Sequence, residues 1–120
     1  MIQLRSKNSA ERKADPIYSG ALMYFPDALA AVARVSVAGN NKHNPGEPLH
    51  WARSKSTDQL DCVTRHTITP DFVDEETGEY ELAQAVWRAC AQLQLMEEAR
   101  LVKLGIRPYS GVVPNDLPSL

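Results

Sequence analysis

The run EYELAQAVWRACAQLQLMEEARLVKLG, from Glu79 to Gly105, decides the fold. Leu82, Val86, Ala89, Leu93 and Met96 recur at helical spacing, and the apolar stripe continues to Leu104. No proline interrupts it, and Gly105 suits the left-handed residue that ends many helices. Glu79 and Glu81 stand where the helix dipole favours negative charge. A helix from Glu79 to Leu104 would be about 40 Å long, enough to form the spine of a bundle or a dimer. Glu97 and Glu98 near its end read as a solvated face.

Working back from this helix, Asp71 to Gly78 is an acidic connecting loop. Before it, Ser56-Thr57-Asp58-Gln59 opens a second helix, with Ser56 as N-cap and Gln59 closing a capping box. That helix runs to about His66 or Ile68 and stops ahead of Pro70. Helical periodicity puts Asp58, Asp61 and Arg65 on one stripe and turns Leu60, Val63 and Thr67 the opposite way. A first helix begins at Pro26, a favoured first-turn residue, with Asp27 beside it. Leu29, Val32, Ala33 and Ser36 carry its period, and Gly39-Asn40-Asn41 reads as its stop signal.

The expected architecture is therefore all-α, a small bundle of about three main helices in a single domain over residues 1–120. Residues 1–22 form an irregular arm whose Ile17 and Tyr18 dock on the core. Residues 23–105 are the helical core, with a long polar loop between helices one and two. Residues 106–120 are an extended tail that packs or swaps onto a neighbour.

With 43% hydrophobic and 23% charged residues the chain has the composition of a folded globular protein, not a disordered one. Its net charge of −2 excludes a bulk field for nucleic acid or for an anionic membrane. The basic cluster Arg5, Lys7, Arg12 and Lys13 lacks interleaved aromatics and reads as a solvated lead-in. Cys62 and Cys90 fall inside predicted helices, as reduced thiols in or near the core. No apolar run reaches membrane-span length and no signal peptide is visible, so a cytoplasmic location is expected.

The chemistry concentrates between Lys42 and His66. The loop from Lys42 to Lys55 holds two prolines and a glycine, so its first half cannot be regular. Lys42, Arg53, Lys55 and Arg65 are cations able to neutralise phosphate, the arginines with paired hydrogen bonds. Trp51 offers a face for stacking a base, and Asn44 has the donor and acceptor needed to read a base edge. His43 and His66 flank the same segment. Asp58 and Asp61, a carboxylate pair one turn apart, are suited to magnesium with substrate phosphate completing the shell. Glu81 would add a third carboxylate if helices two and three pack antiparallel.

Each feature also has a bland reading. Asp58 can serve the helix N-terminus while Asp61 pairs with Arg65, Trp51 can be a packing residue, and a basic loop can be plain surface. The histidines His43, His50 and His66 with Cys62 follow no recognised zinc spacing.

Tyr24-Phe25-Pro26-Asp27-Ala28-Leu29, Ala38-Gly39-Asn40, His43-Asn44-Pro45-Gly46, Leu49-His50-Trp51, Lys55-Ser56-Thr57-Asp58 and Arg65-His66 together resemble a group of short phage and prophage proteins. These are described as dATP/dGTP diphosphohydrolase N-terminal-like, or MazG-like, and the resemblance covers roughly residues 12–100. It implies an all-α fold and release of pyrophosphate from a (deoxy)nucleoside triphosphate with Mg2+ (or Mn2+), in the host cytoplasm if the protein is phage-encoded. The Glu-Glu-x-x-Glu that MazG-like enzymes place ahead of their second acidic pair has no counterpart here; the first helix offers only Asp27.

The expected partner is a nucleotide or nucleotide-derived small molecule, with neither membrane nor nucleic acid. Asp58, Asp61 and Glu81 would carry catalysis; Lys42, His43, Asn44, Trp51, Arg53, Lys55, Arg65 and His66 would bind the nucleotide. There are two alternatives. One is a non-catalytic sponge for a nucleotide signal, built on the same cationic loop. The other is a helical interaction module built on the long helix. A helix this long in a three-helix layer leaves apolar surface over, so a homo-oligomer is expected.

Overall fold

The computed structural model describes residues 9–69 and 71–106. Its elements are α1 (Ser9–Lys13), a single π-helical turn (Tyr18–Leu22), α2 (Pro26–His43), α3 (Gln59–Ile68) and α4 (Glu81–Lys103). Among the described residues the only pairing of strand type is an antiparallel bridge between Val73 and Tyr80. The all-α expectation holds. α4 is the spine: α2 and α3 both pack along it.

α2 opens with Pro26 in its first turn, as its fixed φ favours. It does not stop at Gly39-Asn40-Asn41 but runs on to His43. Asn40 is held inside the helix because its Nδ2 donates to the Glu47 carbonyl at 2.9 Å. Pro45 sets the true end, since the residue before a proline avoids the helical region; Asn44 accordingly leaves it at φ −135°, ψ 55°. Gly46, at φ +81°, then turns the chain back.

α3 begins at Gln59, with Asp58 as N-cap and no side-chain capping bond, so the predicted capping box does not form. The Gln59 side chain is drawn inward, its Oε1 accepting from Arg88 Nη1 at 3.1 Å. Ser56 Oγ donates to Asp58 Oδ1 at 2.8 Å instead of capping the helix. The inner face of α3 is thus Gln59 and Cys62, with Val63 and His66 half-buried, while Leu60 is 55% exposed. Polar residues with partners on α4 take positions that the apolar pattern assigns to Leu60 and Thr67.

α4 shows the same inversion. Its buried residues are Ala83, Ala85, Ala91, Gln92, Leu95 and Leu101. The stripe of Leu82, Val86, Ala89 and Leu93 lies on the opposite side, with Leu82 68% and Leu93 59% exposed. The helix is apolar on two faces, and small residues on the inner one let α2 and α3 approach closely. Its C-terminus is a Schellman motif: the Ile106 N–H donates to the Leu101 carbonyl at 2.9 Å, the Gly105 N–H to Val102 at 3.0 Å. Gly105 sits at φ +73°, as that motif requires.

The acidic connection before α4 is ordered. The Asp74 N–H donates to the Glu79 carbonyl at 2.9 Å, and the Gly78 N–H to the Asp74 carbonyl at 2.7 Å, with Gly78 at φ +75°. The arm differs from expectation too. It contains α1 and the π-helical turn, and Ile17 and Tyr18 are exposed rather than docked. Cys62 is buried, whereas Cys90 is exposed; both are free thiols. The basic residues Arg5 and Lys7 and the tail from Arg107 lie outside the described residues.

Leu95 is the largest apolar side chain buried mid-way along the spine. Leu95→Ala should cost about 2–5 kcal/mol in a denaturant titration. A loss below about half a kilocalorie would show that α4 presents a different face to the core.

Candidate functional site

The C-terminal half of α2, the loop 44–57, the start of α3, the turn 71–80 and the first half of α4 enclose a cavity of about 690 Å³. That is the usual size of a small-molecule site. Its walls differ in character. Trp51 from the loop and Trp87 from α4 meet edge to face, with centroids 6.0 Å apart. Trp87 Nε1 donates to Ser36 Oγ at 2.7 Å, fastening α4 to α2 at the cavity floor.

The acidic side comes from the 71–80 turn, and its carboxylates are already engaged. Glu76 pairs with Lys42, and Glu79 lies 3.5 Å from Arg34. Asp74 accepts from Gln84 Nε2 at 3.0 Å and from the Glu76 N–H at 2.8 Å. The Gln84 amide, ahead of the backbone bonds, holds its carboxyl below the usual carboxylate range.

Basic groups line the cavity as well. Arg88 reaches from α4 to Ser56 Oγ and to Gln59 Oε1, both at 3.1 Å. Lys55 borders the cavity next to Ser56. His66 also lines it, with Nδ1 donating to Glu81 Oε2 at 2.5 Å. This bond fixes the ring between α3 and α4.

Six residues expected to bind a nucleotide line this one cavity: Lys42, His43, Asn44, Trp51, Lys55 and His66. Two do not. Arg53 turns to Glu98 and covers one face of Trp51, its guanidinium 4.5 Å from the ring centroid. Arg65 lies outside, 3.7 Å from Asp58 Oδ2 and donating to Cys62 Sγ at 3.0 Å.

The carboxylates expected to act together are dispersed. Asp58 and Asp61 are exposed and do not border the cavity. The Ser56 hydroxyl, chiefly, lowers the pKa of Asp58, with a small contribution from Arg65. Glu81 faces His66 rather than the aspartates, because α3 presents His66 and not the Asp58/Asp61 stripe to α4. Among the described residues no three His, Cys, Asp or Glu side chains converge to hold a metal. Asp58 and Asp61, exposed, and Glu81, engaged by His66, therefore do not fit as a resident magnesium cage.

The residues that sequence reasoning missed are Asn40, Gln59, Trp87 and Arg88. For Arg88 a signal was present: Gln84, Arg88 and Gln92 recur every four residues, a polar stripe along one face of α4.

A family model described as dATP/dGTP diphosphohydrolase, N-terminal, matches residues 5–104. The chain belongs to that family. The family description is that of a nucleotide hydrolase, and it names the N-terminal part of one. No curated protein and no solved structure matches the chain. Among the described residues no helix is long and apolar enough to cross a membrane.

The lowered pKa of Asp74 makes the 71–80 turn acid-sensitive. A depressed carboxyl contributes stability above its unfolded value of about 4 and loses it as pH falls through the folded one. Asp74→Asn should therefore flatten the fall of Tm below about pH 4. An unchanged acid limb in that variant would remove Asp74 as its source.

Proposed function

We propose that this chain binds a deoxypurine nucleoside triphosphate in the α2–α3–α4 cavity and hydrolyses it with release of pyrophosphate. One observation carries the reading: six residues singled out for nucleotide chemistry, scattered over 25 positions of sequence from Lys42 to His66, border a single ligand-sized cavity. The family description supplies the substrate class.

Trp51 is the flat wall for the base, and Asn44, on the same cavity, supplies an amide for its edge. Lys55, next to the start of α3, faces the phosphates. In the reaction a water oxygen bonds to the α-phosphorus, the bridging bond to the β-phosphate breaks, and pyrophosphate leaves. The magnesium or manganese implied by the family has no protein cage among the described residues. It would arrive as counter-ion to the triphosphate, a role suited to an ion that keeps its waters and prefers phosphate oxygen.

A second reading is a binder without turnover. It is favoured by the position of Asp58 and Asp61, both exposed and off the cavity. Incubation with each of the four deoxynucleoside triphosphates and magnesium separates the two. Pyrophosphate from dATP and dGTP supports the hydrolase. Tight binding with ligand recovered intact supports the binder, and no binding at all overturns both.

The exposed α4 stripe of Leu82, Val86, Ala89 and Leu93, spaced four, three and four apart, has the pattern of a helix–helix seam. We assign it to a second copy of the chain. Light scattering should find a dimer or larger that Leu93→Glu dissociates; a monomeric wild type at micromolar concentration would end this assignment.

A further inference from the structure

A half-buried guanidinium is costly unless something negative faces it. Arg88 borders the cavity, yet among the described residues no carboxylate lies within ion-pair distance of it. Its hydrogen-bond acceptors are neutral: Ser56 Oγ and Gln59 Oε1. The face of Trp87, 5.5 Å away, gives modest compensation. Asp74, Glu76 and Glu79 also border the cavity, but Gln84, Lys42 and Arg34 engage them. Asp58 reaches Arg88 only through the Ser56 hydroxyl between them.

A second observation is independent of charge. Gln59 is 2% exposed, and its Nε2 is buried with no hydrogen-bond partner. The amide cannot be turned over to cure this, because Arg88 has only donors and requires the oxygen where it stands. A buried amide N–H without an acceptor is unfavourable by itself. Here it belongs to the same side chain that receives Arg88. The corner therefore holds a cation without an anionic partner and, behind it, a buried N–H donor without an acceptor, with Lys55 also on the cavity wall.

We infer that Arg88 and Gln59 form the phosphate anchor of the cavity, with Arg88 supplying the charge and Gln59 Nε2 a neutral donor to the same phosphate group. This rests on the nucleotide reading above and adds to it a polarity. The phosphate chain enters toward the start of α3, and the base lies toward Trp51 and the end of α2. Gln59 also sets the ligand class. A glutamine keeps Arg88 oriented without neutralising it, so the corner selects for a polyanion and against an uncharged nucleoside.

The test titrates the full chain with dGTP, deoxyguanosine and inorganic tripolyphosphate, with thermal melts alongside. Arg88→Met should weaken dGTP by about ten- to a hundredfold, abolish tripolyphosphate binding and spare deoxyguanosine. Arg88→Lys should fall between, since it keeps the charge and loses the fork. Gln59→Glu is the decisive variant. It gives Arg88 an internal carboxylate, so it should melt no lower than wild type yet lose dGTP as Arg88→Met does. The inference is overturned if both Arg88→Met and Gln59→Glu bind dGTP like wild type. It is equally overturned if Arg88→Met weakens dGTP and deoxyguanosine alike. Tripolyphosphate binding through Arg88 without any nucleotide binding would sink the nucleotide reading and leave the anchor standing. A wild type that binds no phosphate compound removes both.

Discussion

Arg88 joins the inner face of α4 to the first turn of α3 through Ser56 Oγ and Gln59 Oε1, and the position of the cavity follows from that contact. It fixes which side of α3 turns inward. With Gln59 seated, His66 follows two turns later and meets Glu81, while Asp58, Asp61 and Arg65 are carried to the outside. The same contact draws Ser56 away from the helix end and leaves α3 without a side-chain cap. A capping bond is worth about 1 kcal/mol, so a modest stabilisation is forgone where the chain shapes a polar corner.

The bundle is held by few large apolar contacts. Among the described residues the buried apolar set is four alanines, Cys62, Leu95 and Leu101, and the buried polar set of Asn40, Gln59 and Gln92 is prominent beside them. Directional bonds therefore set the geometry: Trp87 to Ser36 between α4 and α2, Arg88 to Gln59 and His66 to Glu81 between α4 and α3. Such bonds specify position more than they add stability. They suit a scaffold whose task is to hold a polar cavity open between three helices. Large apolar groups such as Leu82 and Leu93 remain outside, available to a second chain.

Much of this was legible in the sequence and some was inverted. The all-α class and the long final helix with its Gly105 terminus followed from periodicity and composition, and the family from the resemblance of its motifs; six residues singled out between Lys42 and His66 border one cavity. The faces did not. Apolar period picks out Leu60, Leu82 and Leu93, whereas the structure leaves these exposed and buries Gln59, Ala85 and Leu95. Periodicity locates an apolar stripe but cannot choose between two when a helix has one on each side, and α4 does. Nor can it foresee that a glutamine or histidine will enter the interior, because that depends on a partner distant in sequence. Gly39-Asn40 misled for a related reason: a buried bond to Glu47 keeps Asn40 helical. Asp58 and Asp61 drew attention as a local pair, but the helix rotation that decides their role is set by Arg88.

Arg88 is where the phosphate end of the proposed ligand would meet α4. A crystal structure with a dGTP analogue whose α–β bridge resists hydrolysis tests this placement most directly. Phosphate oxygens are expected within hydrogen-bond reach of Arg88 and Gln59 Nε2, with the base toward Trp51. A triphosphate bound instead on the outer face at Asp58 and Asp61, with the cavity holding only water, would contradict it.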